Sequence, residues 1–184
     1  MDDPTVPHVA TLRVLLEGLV EYAGLFPPAA LPMHAAVENY AAYLGSPTAW
    51  MLGRFIVPVG RLGELATEAS GHPQPSRAPW RLSALAGTDR PADVGAVRRF
   101  NAAHEGRLVI DTIELRASTA ESVAAAHDAG REFALYVEIA IDEDPAPLLD
   151  AIARAGVRAK VRLGGTRTDA VPSVADVARF IARC

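Results

Sequence analysis

Cysteine is almost missing from this chain. The single Cys184 has no partner for an internal disulfide, and no thiolate cluster can hold a structural metal. That usage fits a reducing compartment. Long hydrophobic runs are missing as well: no stretch approaches the roughly 20 apolar residues that span a bilayer. The amino-terminal MDDPTVPH is acidic where a secretory signal is basic. The expectation is a cytoplasmic protein with no membrane partner. No basic stripe exists either, because 18 Lys and Arg are scattered among 22 Asp and Glu for a formal net charge of -4. Nucleic acid is therefore not an expected partner. The chain has no G-x-G-x-x-G and no P-loop. Its five histidines, His8, His34, His72, His104 and His127, lack metal-ligand spacing and fall outside the predicted strands.

What remains is an ordinary globular balance. Hydrophobic residues make up 50% of the chain and charged ones 22%, enough apolar material in 184 residues for one domain with a sizeable core. From residue 53 onward, short aliphatic and β-branched runs alternate with stretches of helical periodicity, the pattern of strand-helix units and a parallel sheet. Five strands are predicted, at 53–59 (GRFIVPV), 81–86 (RLSALA), 107–116 (RLVIDTIELR), 132–141 (EFALYVEIAI) and 157–163 (VRAKVRL).

Punctuation agrees with this frame. Ser118 with Glu121 and Ser173 with Asp176 read as helix starts, Pro145 sits in a first helical turn, and Gly130 and Gly156 stop helices. Residues 1–52 read as a helical segment interrupted by Pro27-Pro28, with the strand character of VEYAGLF left open. The fold class is α/β, parallel strands alternating with helices. Two architectures satisfy it, a partial TIM-like (βα) barrel and an open doubly wound sheet.

Strands covered on both faces read as nearly continuous apolar runs, so a charge inside one needs a reason. By the period of two, Ile110, Thr112, Glu114 and Arg116 share a face, as do Tyr136 and Glu138, and Lys160 and Arg162. Asp111 then lies on the face opposite Glu114. Glu114, Glu138, Lys160 and Arg162 all come late in consecutive strands, where parallel α/β folds build their sites, and are predicted to converge. The competing reading is a buried ion-pair network.

Lys160 carries the most definite chemistry. Its amine is a Schiff-base nucleophile if burial and the neighbouring Arg162 lower its proton affinity, and an electrostatic anchor if a carboxylate pairs with it. Glu114 and Glu138 are candidate proton-transfer groups. Arg162 with Gly164 and Gly165 suits a phosphate or carboxylate. No dedicated cofactor is implied, although Glu114 and Glu138 could jointly hold a divalent cation of the magnesium or manganese type.

The segments EYAGLFPPAALPMHAAVENYAAYLGSPTAWMLGRFIVPVGRL, AKVRLGG and VPSVADVARFIARC together resemble a family of uncharacterised bacterial (βα)-barrel proteins of about 300 residues. Tyr22, Phe26, Pro27, Lys160, Arg162, Gly164 and Gly165 match its YAGLFPPA and K-x-R-x-GG motifs, which sets Tyr22 beside the substrate-binding candidates. Members of that family continue into a further strand with a lysine and two histidines, whereas this chain stops at Cys184. The resemblance thus implies that the chain is either a naturally truncated barrel or a fragment of one, and a homo-oligomer could complete the sheet. The functional expectation is a lyase or aldolase acting on a small oxygenated or phosphorylated metabolite. A metal-assisted enzyme and a non-catalytic binding or assembly module are the alternatives.

Overall fold

The computed structural model describes residues 6–72, 79–125, 129–141, 144–165 and 171–184, with the side chains of 6–10 excluded. Six strands, β1 (Val20–Tyr22), β2 (Leu52–Pro58), β3 (Trp80–Leu85), β4 (Leu108–Arg116), β5 (Ala134–Glu138) and β6 (Arg158–Lys160), pair side by side in chain order, all parallel. The helices are α1 (Val6–Leu16), α2 (Met33–Leu44), α3 (Leu62–Ala69), α4 (Arg90–Ala103), α5 (Ala120–Ala124), α6 (Ala146–Ala155) and α7 (Val174–Arg183). A doubly wound sheet reverses its winding at a switch point; this strand order has no reversal. The sheet curls into a half-barrel instead.

The predicted units are present with shifted ends. The segment 1–52 is not purely helical, because Val20–Tyr22 forms the first strand of the sheet. The fifth predicted strand shrinks from 157–163 to Arg158–Lys160, since its partner β5 ends at Glu138 and Ile139 makes the last bond, to the Lys160 carbonyl, at 3.1 Å. Helix α5 is capped by Thr119, not Ser118: the Thr119 hydroxyl accepts from the Ser122 N–H at 3.2 Å, and the Ser122 hydroxyl accepts in return from the Thr119 N–H at 3.4 Å. Ser173 caps α7 as predicted, accepting from the Asp176 N–H at 3.1 Å. Gly156 ends α6 at φ +67°, a conformation that suits glycine, whereas Gly130 lies in a short 3-10 turn. His127 lies outside the described residues.

The outer face of the sheet holds the core. Phe55, Val57, Leu82, Ala84, Ile110, Ile113, Leu115, Leu135 and Val137 are buried there in register with one another. Full burial of each large side chain contributes about 1.5–3 kcal/mol before entropy is subtracted. An aromatic cluster closes the β1–β3 end: the Tyr40 ring lies 5.3 Å from Phe55 and 5.4 Å from Trp80. The Tyr40 hydroxyl donates to the Gly53 carbonyl at 3.0 Å, and burial pushes its pKa up. Among the described residues no helix is long and apolar enough to cross a membrane.

One irregularity decides which side chains reach the other face. Leu82 aligns with Ile110 but Ser83 aligns with Thr112, so Asp111 is an extra residue, a β-bulge in β4. Beyond the bulge the phase of β4 changes. Ile110 therefore faces the core with Leu82, while Thr112 and Glu114 align with Ser83 and Leu85 on the concave side. Asp111 also turns to the concave side, as its bonds to Arg54 and Arg81 show.

Candidate functional site

The concave face is charged where a closed barrel would be filled with apolar layers. In its interior, Asp111 Oδ1 accepts from Arg54 Nε at 2.5 Å, and Oδ2 accepts from Arg81 at 2.6 and 2.8 Å. Arg54 also lies 3.8 Å from the Glu21 carboxylate on β1. Glu114, only 5% exposed, accepts from the Ser83 hydroxyl at 2.9 Å through one oxygen and from the Lys160 ammonium through the other. The curl brings the two edge strands together across this space. Glu21 from β1 and Lys160 from β6 line one cleft of about 490 Å3 with Arg54, Glu114 and Tyr136.

Electrostatics separates the carboxylates. Burial, followed by the nearby negative charge of Glu114, raises the pKa of Glu21 against the opposing pull of Arg54 and Lys160. Burial also pushes on Asp111, but its hydrogen bonds to Arg54 and Arg81 and their charges outweigh it and hold that carboxyl below the usual range. One carboxyl facing the cleft is thus tuned toward accepting a proton, and a second is held as an anion.

The four predicted residues share the concave side but form two pairs. Lys160 goes to Glu114; Arg162 goes to Glu138, 3.3 Å from its Oε2. Arg116 Nε donates to the other Glu138 oxygen at 3.0 Å. This second group lines a separate cleft of about 590 Å3 at the carboxyl ends of β4 and β5, together with Arg90 and Ser118. Glu114 and Glu138 are each bound by cations of their own. Among the described residues no group of three or more His, Cys, Asp or Glu side chains is placed to hold a metal ion.

Tyr22 and the two glycines fall outside both clefts. Tyr22 aligns with Phe55 on the outer face and packs among Tyr40, Tyr43 and Phe55, its phenol lying where a Cβ on Gly24 would collide. Its place in the YAGLFPPA motif is accounted for by core packing. Gly164 and Gly165 follow β6 in exposed, irregular chain, with open space where a Gly164 side chain would stand.

Four interior residues escaped the sequence reading. Glu21 sat in a segment whose strand character was undecided, and Asp111 was assigned to the wrong face because the bulge leaves no mark on the alternation. Arg54 and Arg81 carried a usable signal: each is a lone cation inside an otherwise apolar strand, GRFIVPV and RLSALA. Comparison of the chain with protein-family models, curated proteins and solved structures finds no match.

Proposed function

We propose that this protein is an enzyme of lyase or aldolase type, acting on a small oxygenated metabolite in the cleft between β1 and β6, and that it belongs to the barrel family whose motifs it shares. One observation carries the reading. A carboxyl with a raised pKa, Glu21, shares a cleft with the buried Glu114–Lys160 pair, so a proton acceptor and a fixed cation face the same space. Glu21 takes a proton from the substrate, and the negative charge that develops on the substrate's carbonyl oxygen is stabilised by Lys160 and Arg54. Lys160, engaged by Glu114, serves as the electrostatic anchor and not as the Schiff-base nucleophile.

Proton exchange tests this directly. In D2O, the wild-type protein should catalyse deuterium incorporation next to the carbonyl of at least one compound in a panel of hydroxyketones and 2-oxo acids, read by NMR. Glu21→Gln should abolish it, and a panel with no exchange above buffer ends the proposal. Borohydride treatment in the same mixtures should leave the mass of the Lys160 peptide unchanged; an adduct there would replace the anchor role with a Schiff base.

One other reading has an observation behind it. The interior holds three carboxylates, Glu21, Asp111 and Glu114, against three cations, Arg54, Arg81 and Lys160, and so balanced a set can serve as a structural network in a binding or assembly module. A Lys160→Met, Glu114→Leu variant that keeps its fold, in a protein whose wild type shows no exchange above buffer, would favour that reading. The metal-assisted version is weaker, since Glu114 and Glu138 are separately committed to cations.

A further inference from the structure

The cleft at the strand ends carries charge that its described residues leave uncompensated. Three guanidiniums line it, Arg90, Arg116 and Arg162, and one carboxylate, Glu138, serves two of them. Arg90 donates to the carbonyls of Ser122 at 2.8 Å and Arg116 at 2.5 Å, and its Nε is buried without a partner. Among the described residues no carboxylate pairs with it. Among the described lining residues, three positive charges stand against one negative, two positive charges in excess. Glu138, with one oxygen on each, orients the guanidiniums of Arg116 and Arg162 while leaving most of their N–H groups open to the cleft.

We propose that this cleft is an anion subsite, which takes a phosphate monoester or a carboxylate through Arg116 and Arg162. Planar guanidiniums match the oxygen spacing of both groups, and Arg is favoured over Lys where such forked recognition is needed. Arg90 is a positioning residue: it ties the end of β4 to the start of α5 and keeps Arg116 at the cleft wall. Gly164 and Gly165, expected beside Arg162 in this role, are not among the residues lining the cleft, whereas Arg116 is. That the anion is one end of the substrate held in the interior rests on the function proposed above; the existence of the anion subsite does not.

Calorimetric titration of the full chain with inorganic phosphate, and separately with succinate, in chloride buffer of constant ionic strength tests the subsite. Saturable binding of at least one anion is expected, and the tighter of the two identifies the source of the negative charge. Arg162→Met and Arg116→Met should each weaken it by about tenfold or more, while Arg61→Met, whose exposed pair with Glu64 lies on another turn, leaves it unchanged. Arg162 lies beyond its strand and its side chain is 54% exposed, so its variant retains the fold even if Arg116→Met does not. Binding that never saturates, or that survives Arg162→Met undiminished, overturns the proposal. Glu21→Gln separates the two ideas: lost proton exchange with intact anion binding supports the subsite independently of the interior chemistry, whereas exchange without anion binding removes the subsite alone.

Discussion

Among the described residues, three carboxylates meet three cations inside the curl; at the strand ends, three guanidiniums line a cleft with one carboxylate, which pairs with two of them. The two sets also differ in the exposure of their cations: Arg54 and Lys160 inside are 20% and 33% exposed, against 73% and 54% for Arg116 and Arg162, with Arg81 at 51% the interior exception. Charges that have left water need partners, and the interior supplies them within the protein. Charges still in contact with water can remain unpaired until a ligand arrives. Neutralised interior and cationic rim thus divide the concave face into a part suited to holding reacting atoms and a part suited to capturing an anion.

Substitutions at the two levels should separate this division by size. The largest effect belongs to Lys160→Met, which strands the buried Glu114 and should cost about 3 kcal/mol in urea unfolding. Adding Glu114→Leu should bring stability back to within about 1 kcal/mol of wild type; a double variant as unstable as the single would mean that Glu114 is not the group left uncompensated. Next comes Asp111→Asn, expected to cost about 1.5–2 kcal/mol at neutral pH, because two guanidiniums lose their anion. The folded-state pKa of Asp111 is lowered, so its contribution is complete above the ordinary aspartate value of about 4 and disappears as pH falls through the folded value. Unfolding curves of wild type and Asp111→Asn should therefore converge in acid.

Rim substitutions should be much gentler. Arg116→Met and Arg162→Met are each expected to change stability by less than about 1 kcal/mol, and a larger loss at either would blur the contrast between the two levels. Smallest, and opposite in sign, is Glu21→Gln. The folded pKa of Glu21 is raised by burial, so wild type loses stability as pH rises from the ordinary glutamate value through the raised one. The Gln variant should be at least as stable as wild type at pH 7, with the difference gone near pH 4. Thermal unfolding at both pH values checks the sign.

The strands, their alternation with helices and the face of Glu114, Glu138 and Lys160 were legible in sequence because period-two and period-3.6 patterns are written in individual residues, whereas the order of the strands in the sheet was not. The convergence of four charges on one point was not. Pairing partners depend on register, and the register of β4 against β3 slips at Asp111, which moves Ile110 to the core and Asp111 to the site. Tyr22 shows a related ambiguity: motif membership marks a residue without saying whether packing or binding requires it, and here its ring sits against Phe55. Glu21 reaches Lys160 only because the sheet curls, a property of the whole array and of no single strand.

The consecutive, unreversed strand order has a last consequence, which concerns length. Without a crevice between two half-sheets, the two clefts follow one another along the strands, and the distance between them is counted in residues of β4. Arg116 stands two residues beyond Glu114, a step of about 7 Å. If both proposals hold, a substrate spanning the anion subsite and the interior cleft would have to be at least about that long, and the strand would serve as a ruler for its chain length.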